Sequence, residues 1–267
     1  IDIDDYPIDH HSLILKIRKL KLPLVHCKSK SGGAHIFLFM KNTIAAKTMK
    51  NKLSAIAALL GQSKSEIFPK QSGIQPEKGD VGNFLNLPYY HARKTVRFAI
   101  KNNGEPATLK EFCAMYDKYS VEDIDKVKVS VDDEAIKDGP PCLQALCDQG
   151  FPEGTRNNGL FNIGVYLRKF DRTNWETLLE KYNQKYMSPP LAAQEVIVVQ
   201  KQLEKKDYNY KCKDQPIVSY CNSIICKLRK YGIDGNDVAQ TLGELTKLDT
   251  KPPQWFLEIP NDKPNED

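Results

Sequence analysis

The sequence has no apolar run near the ~20 residues that span a bilayer, so we expect no membrane-spanning helix and no membrane partner. It has no signal-peptide pattern, and its cysteines number seven, an odd count. These features argue against a disulfide framework and favour a reducing, cytoplasmic compartment. The chain opens on Ile1 without an initiator Met, from which we expect a fragment of a longer protein. Its 267 residues suffice for one large or two modest domains.

Charge is distributed unevenly along the chain. Residues 1–112 carry a net charge of +9, residues 113–138 carry −4, residues 139–230 carry +5 and residues 231–267 carry −5. Two basic bodies with an acidic linker and an acidic tail suit polyanionic partners such as nucleic acid or nucleotides. An uneven solvated surface is the alternative.

Hydrophobic patterning predicts an α+β part followed by an all-α part. Thr108-x-x-Glu111 and Thr173-x-x-Glu176 have the spacing of helix capping boxes. We expect a catalytic domain over 1–120, an acidic linker over 121–138, a helical domain over 139–235 and an acidic tail over 236–267. The expected helices cover 10–20, 43–60, 108–119, 143–147, 156–169, 175–186, 192–205 and 218–231, and the expected extended segments cover 1–4, 24–27, 35–40, 66–68, 82–88 and 96–100.

Asp2-Ile3-Asp4 places two carboxylates on one face of a strand, because residues i and i+2 point the same way. Such a pair repels itself unless a cation lies between the two groups, and Mg²⁺ and Mn²⁺ prefer oxygen ligands. An exposed acidic strand end is the alternative. Phosphatases that use Asp-x-Asp usually place Thr two residues later, where this chain has Tyr6, which argues against that class.

The segment Lys28–His35 is basic and rich in glycine. Gly32 and Gly33 allow close approach of the backbone to phosphate oxygens, while lysines, a serine hydroxyl and a histidine surround them. An ordinary hairpin with a structural histidine is the alternative. The candidate phosphate-binding residues are Lys28, Lys30, Ser31, Gly32, Gly33 and His35.

These motifs, in this order, resemble the archaeo-eukaryotic primase superfamily, in its phage and plasmid branch. Asp2-Ile3-Asp4 matches the first motif of that family, and Ser31-Gly32-Gly33-Ala34-His35 matches the second. We assign Glu66 as the third acid, with Asp80 as the alternative. The resemblance predicts an N-terminal module ahead of Asp2, which agrees with the expectation of a fragment.

The resemblance implies an RNA-recognition-like catalytic sheet and a primase or primase-polymerase that acts on single-stranded DNA with ribo- or deoxynucleoside triphosphates. It implies two Mg²⁺ or Mn²⁺ ions at Asp2, Asp4 and Glu66. Gln71, Asn83 and Arg93 are further candidates for the nucleotide site or template path. A replicative helicase partner and a bacterial or archaeal host complete the expectation.

The helical part resembles the C-terminal domain of phage and plasmid primases, through Gly154–Asn158 and, further on, Asn183 and Pro189-Pro190-Leu191. Arg156, Asn157 and Asn158 stand at a predicted helix N-terminus, which favours anions. They are candidates for the initiating nucleotide or the template, with a helix cap as the alternative.

Cys212, Cys221 and Cys226 lie within fifteen residues, and Cys142 supplies a candidate fourth thiolate. Four thiolates suit Zn²⁺ or an iron–sulfur cluster. Resemblance to the iron–sulfur domain of the primase large subunit favours a [4Fe–4S] cluster. Cys147 is a substitute fourth ligand, and buried cysteines without a metal are the alternative.

Two other functions fit parts of the pattern. One is a nucleic-acid-binding replication module without polymerase activity. The other is a metal-dependent phosphatase or nuclease that uses the same carboxylates.

Overall fold

The computed structural model describes residues 1–91, 95–128 and 135–233, with the backbone of residues 244–248 and 254–258. The chain divides into two compact units. The N-terminal unit comprises Ile1–Val131 and Val218–Asn222, and the C-terminal unit comprises Asp132–Ile217 and Ser223–Asp267. The architecture is mixed α and β, which confirms the broad fold class predicted from the sequence.

A three-stranded antiparallel sheet organises the N-terminal unit. Its strands are β1 (Asp2–Ile3), β2 (Val25–Lys28) and β3 (Ala34–Phe37), with β3 in the centre. Single bridges extend both edges, from Asp2 to Glu66 and from Cys27 to Ala99. The expected strands over 66–68 and 96–100 are therefore reduced to isolated bridges, and 82–88 forms no regular element.

The α-helices in the described part of the N-terminal unit are α1 (His10–Lys19), α2 (Ala46–Leu59) and α3 (Leu109–Tyr119). Asp9 caps α1 by accepting from the backbone N–H of Ser12 at 3.0 Å. The predicted capping box of α3 is confirmed, because Thr108 N–H donates to Glu111 Oε2 at 2.7 Å and Glu111 N–H donates to Thr108 Oγ1 at 3.2 Å.

The described part of the C-terminal unit is mainly helical. Its helices are α4 (Pro141–Gln149), α5 (Arg156–Phe170), α6 (Trp175–Tyr186), α7 (Ala193–Glu204) and α8 (Ser223–Lys227). Helix α5 is buried along most of its length and packs against α6 and α7. A Cβ at Gly164 would lie 2.3 Å from Leu203 Cδ1, so this glycine permits the close approach of α5 and α7. Farther along, β4 (Glu244–Leu248) and β5 (Gln254–Glu258) form an antiparallel hairpin.

Two local predictions for this half of the chain are wrong. Asp171, rather than Thr173, binds the backbone N–H of Asn174 at 3.0 Å before α6, so the second capping box does not form. The single helix expected over 218–231 is instead a 3₁₀ turn over Ile217–Tyr220 followed by α8. The Ser63 hydroxyl donates to the carbonyl of Val218 at 2.7 Å, and the Ser63 N–H donates to the carbonyl of Ser219 at 3.1 Å. A continuous helix would need both carbonyls as acceptors for its own N–H groups.

Within the described residues, no helix combines the length and the apolar character required to cross a membrane.

Candidate active site

Pairing of β1 with β3 sets Asp2 directly opposite His35. Paired residues of antiparallel strands point to the same face of the sheet. His35 Nε2 lies 3.1 Å from Asp2 Oδ1, and this oxygen is buried with no aligned hydrogen bond in the described chain. The first and second motifs therefore meet at one point of the sheet, where the imidazole of His35 lies beside a buried carboxylate oxygen of Asp2.

Two further acids, Asp4 and Glu66, affect the pKa of Asp2. Burial raises its pKa most, the charge of His35 lowers it, and the charges of Asp4 and Glu66 raise it further. Glu66 also exchanges two backbone hydrogen bonds with Asp2, at 2.8 and 3.2 Å. Of the two candidates for the third acid, Glu66 is thus the one beside the pair, whereas the Asp80 carboxylate accepts from Gln75 N–H and Gly82 N–H in its own loop at 3.4 Å.

The other two acids, Asp4 and Glu66, also have side-chain partners. Tyr6 OH donates to Asp4 Oδ1 at 2.9 Å, and Lys70 Nζ lies 2.8 Å from Glu66 Oε2. In the part of the chain that the structure describes, no three His, Cys, Asp or Glu side chains are close enough to hold one metal ion. A cation at Asp4 or Glu66 would therefore use the second carboxylate oxygen or compete with Tyr6 or Lys70 for the first.

The loop between β2 and β3, residues Ser29–Gly33 and here called the glycine loop, depends on its two glycines. Ser29 N–H donates to Gly33 O at 2.8 Å, and Gly32 adopts a φ of +98°, which glycine tolerates best. A Cβ at Gly33 would lie 2.4 Å from the carbonyl oxygen of Ile3. Glycine at this position therefore allows the loop to lie directly on β1.

A chain of hydroxyl groups joins the glycine loop to Asp4. Because Tyr6 OH donates to Asp4, the Ser31 hydroxyl, 2.7 Å away, donates to Tyr6. Ser29 Oγ lies 3.3 Å from Ser31 Oγ and can donate to it in turn. All three hydroxyl protons then point along the chain toward the carboxylate, which links the two motifs through Tyr6.

A small cavity of about 110 Å³ adjoins Asp2 and His35. Apart from these two residues, its walls are mostly apolar and come from β3, α2 and the loop that follows. The apolar lining residues include Phe37, Leu38, Met49, Leu53, Phe68 and Leu85. The sequence analysis assigned none of these side chains to a site, because apolar residues of strands and helices are usually core residues.

The other predicted residues of this unit are more dispersed. Lys30 is exposed at the loop tip, and Lys28 Nζ lies 5.8 Å from the centre of the Phe98 ring. Asn83 Oδ1 accepts from Lys70 N–H at 3.0 Å, and Gln71 is partly buried. Arg93 lies outside the described residues.

Two histidines that the sequence analysis did not identify, His10 and His26, lie next to the glycine loop. His10 Nε2 lies 3.1 Å from the carbonyl oxygen of Gly32, and His10 Nδ1 lies 2.8 Å from His26 Nε2. Their separation of sixteen residues forms no recognisable motif, because only the folded chain brings the first residue of α1 to His26 on β2.

In the C-terminal unit, the residues predicted to bind an initiating nucleotide begin α5 as expected. Arg156 donates to the carbonyl of Pro189, and Asn158 Nδ2 donates to the carbonyl of Gln215 at 2.7 Å. Asn157 is exposed, and the N-cap position is occupied by Thr155. Two of the three side chains therefore donate hydrogen bonds to other segments of the same unit, at Pro189 and Gln215.

The predicted thiolate ligands are divided between the units. Cys142, Cys212 and Cys226 belong to the C-terminal unit, and all three contribute to raising the pKa of Tyr210 after the larger effect of burial. Cys147 is buried on α4, where burial raises the pKa of its thiol, whereas Cys221 belongs to the N-terminal unit. Three thiols therefore lie near one partly buried tyrosine, and they form no metal-ligand set within the described residues.

Compared with known proteins, the chain matches no family model, no curated protein and no solved structure.

Proposed function

We propose that the chain is a template-directed nucleotidyltransferase, a primase or primase-polymerase that synthesises primers on single-stranded DNA. The observation that supports this most is the register of β1 on β3, which sets Asp2 opposite His35. The glycine loop lies at the same edge of the sheet, because Gly33 approaches the carbonyl of Ile3. Acidic and phosphate-binding groups thus converge, as transfer of a nucleotide requires.

Asp2 and Asp4, with Glu66, are the residues that would hold divalent cations. Mg²⁺ or Mn²⁺, when bound, neutralises triphosphate charge and favours attack by a hydroxyl group. The raised pKa of Asp2 supports this assignment in part, because two neighbouring carboxylates contribute to it and a cation would relieve their repulsion. Tyr6 and Lys70 would compete with a cation for one oxygen of Asp4 and one of Glu66.

The glycine loop would bind the triphosphate of the incoming nucleotide. Lys28 and Lys30 supply positive charge, Ser31 supplies a hydroxyl, and His35 can donate from the start of β3. The glycines let phosphate oxygens approach backbone N–H groups without a side chain between them. Gln71, Asn83 and Arg93 stay candidates for the template path.

The C-terminal unit would hold the initiating nucleotide or the template. The start of α5 presents Asn157 to solvent and carries the partial positive charge of a helix N-terminus. A [4Fe–4S] cluster or Zn²⁺ at the cysteines, a helicase partner, and a bacterial or archaeal host stay predictions.

A nucleic-acid-binding module without catalysis is the second candidate. The contacts of Tyr6 with Asp4 and of Lys70 with Glu66 favour it, because both acids are engaged in side-chain contacts that need no cation. Such a module would bind single-stranded DNA with strong salt dependence and would incorporate no nucleotide.

Primer synthesis by the full chain on defined single-stranded templates tests the proposal, with ribo- and deoxynucleotides compared in Mg²⁺ and Mn²⁺. We expect incorporation by the wild type and a loss of at least about 100-fold in Asp2→Asn and in Asp4→Asn, because each removes charge where a cation is needed. Asp5→Asn is the matched control, since this exposed acid lies next in sequence to Asp4.

Equal incorporation by wild type and both variants would contradict the proposal. Salt-sensitive DNA binding with no incorporation would favour the non-catalytic module. Release of phosphate or cleavage of DNA without added nucleotides would indicate a phosphatase or nuclease.

A further inference from the structure

His10 and His26 form a hydrogen-bonded pair of imidazoles behind the glycine loop. His10 is the first residue of α1 and is partly buried, and His26 lies in β2 and is 1% exposed. Their rings meet edge to face, with centroids 5.1 Å apart and planes at 84°. From the far side of its ring, His10 Nε2 reaches the carbonyl oxygen of Gly32 at 3.1 Å.

The partners determine where the protons lie. A carbonyl oxygen only accepts, so His10 Nε2 carries hydrogen and, in a neutral ring, His10 Nδ1 accepts. His26 Nε2 must then donate to His10 Nδ1, which leaves His26 Nδ1 unprotonated. This nitrogen is buried with no hydrogen-bond partner in the described chain, as a bare acceptor can be at lower cost than a stranded N–H donor.

Protonation of either ring disrupts this arrangement. A proton on His10 Nδ1 would face the N–H of His26, and a proton on His26 Nδ1 would be a buried donor with no partner. The hydrogen bond to Gly32 is thus formed by a pair of neutral imidazoles.

Burial is the main reason that both imidazoles are neutral. Burial lowers the pKa of both rings, that of His26 to about 3. The hydrogen bond to Gly32 raises the pKa of His10, Lys28 on β2 lowers it and Asp9 raises it. His10 and Arg18 lower the pKa of His26 further. Because both pKa values lie below the ordinary value of 6.5, the rings are neutral at pH 7. The hydrogen bond between His10 and His26 is lost as the pH falls below 6.5 toward these lowered values.

We propose that His10 is a positioning residue for the glycine loop, with His26 fixing its tautomer, so that the neutral pair holds the Gly32 carbonyl and shapes the turn that binds the triphosphate. The part of this inference that concerns the triphosphate rests on the proposed function. The part that concerns the loop is independent of it, because the contact itself is between α1 and the loop.

Hydrogen exchange of the loop amides tests the positioning role on the full chain. Ser29 N–H and Gly32 N–H donate within the loop at 2.8 and 3.3 Å, whereas Ile36 N–H donates to Ile1 O at 2.9 Å within the sheet. We expect His10→Ala to lower protection at Ser29 and Gly32 about tenfold while Ile36 keeps its protection. His11→Ala is the matched control, since its ring is exposed on the next residue of α1.

Unchanged loop protection in a folded His10→Ala protein would overturn the inference. His10→Gln covers the case in which the alanine variant does not fold, because glutamine offers an N–H donor and an oxygen acceptor without a titrating ring. We expect it to retain part of the protection and to show a weaker loss between pH 7 and pH 5, after correction for intrinsic exchange rates. In the wild type, nitrogen NMR should report both rings as Nε2–H tautomers, and an Nδ1–H tautomer at His10 would contradict the inference.

Nucleotide kinetics separate the two proposals. With an active wild type, His10→Ala should raise the KM for the nucleoside triphosphate about fivefold to tenfold while kcat changes little. A fall in kcat alone would contradict a positioning role. A wild type that incorporates no nucleotide refutes the proposed function, while the exchange measurement still decides whether His10 holds the loop.

Discussion

At the scale of single residues, Tyr6 is the side chain whose assigned role differs most between the sequence and the structure. In the sequence it only marks a departure from the Asp-x-Asp phosphatases. In the structure its hydroxyl donates to Asp4 at 2.9 Å and accepts from Ser31 at 2.7 Å. It therefore occupies one oxygen of a carboxylate that a divalent cation would use.

Tyr6→Phe should tighten divalent binding. Removal of the hydroxyl frees the Asp4 oxygen from a hydrogen bond worth about 1 kcal/mol, so the midpoint of a Mn²⁺ titration should fall about twofold to fivefold. Mn²⁺ binding to wild type and variant, measured by electron paramagnetic resonance, gives this midpoint directly.

Tyr90→Phe is the control for this titration, since Tyr90 is 67% exposed and away from the acids in sequence. It should leave the midpoint unchanged. Equal or weaker Mn²⁺ binding in Tyr6→Phe would mean that Tyr6 does not compete with a cation for Asp4.

At the scale of elements, the contact between β1 and the glycine loop depends on one absent side chain. A Cβ at Gly33 would lie 2.4 Å from the backbone oxygen of Ile3, and backbone cannot rotate away as a flexible side chain can. We expect Gly33→Ala to lower the free energy of unfolding by about 1–3 kcal/mol. Urea denaturation followed by circular dichroism measures this change.

Gly73→Ala is the matched control, because a Cβ at Gly73 would meet no atom within 4 Å. Its unfolding free energy should stay the same or rise slightly, since alanine restricts the unfolded chain more than glycine does. A Gly33→Ala protein as stable as Gly73→Ala would show that β1 moves away without cost.

The sequence predicts most helices of the chain because their signals are local. Apolar spacing places α6 over 175–186, as in the structure, and places the expected helix over 156–169 within one residue of α5. The capping box at Thr108 is also local, since it involves two residues three positions apart. The start of α2 at Ala46, rather than at 43, is a typical boundary error.

Predictions fail where a distant group competes for the backbone. Residues 218–231 have helical spacing, yet Ser63 binds the carbonyls of Val218 and Ser219. Lys16 adds to this attachment, since its Nζ donates to Tyr220 OH at 3.0 Å. No local pattern reveals that a segment so late in the chain belongs to the N-terminal unit.

At the scale of the whole molecule, the candidate site combines predictable and unpredictable parts. Asp2, Ser31 and His35 follow from motifs, because their residue types and order are visible in the sequence. Tyr6 and His10 could not be predicted, since their roles arise only from strand register and from packing of α1 on β2.

The division of the chain into two units also bears on which cysteines could bind a metal. Cys142, Cys212 and Cys226 belong to one unit with Cys147, whereas Cys221 belongs to the other. If a metal centre forms, this division favours Cys147 over Cys221 as the fourth ligand. Four thiolates would then cross-link α4, α8 and the segment around Cys212, and the bound metal would stabilise the C-terminal unit.

Anaerobic purification followed by metal analysis tests this expectation on the full chain. We expect either brown protein absorbing near ~400 nm or colourless protein with about one zinc per chain. Cys226→Ser should lose the metal and unfold at lower temperature, whereas Cys221→Ser and Cys113→Ser should keep it, the latter because Cys113 is exposed on α3. Loss of metal in Cys221→Ser would restore that residue as a ligand. A folded, metal-free wild type would leave the buried thiols as core side chains, which matches the burial that raises the pKa of Cys147.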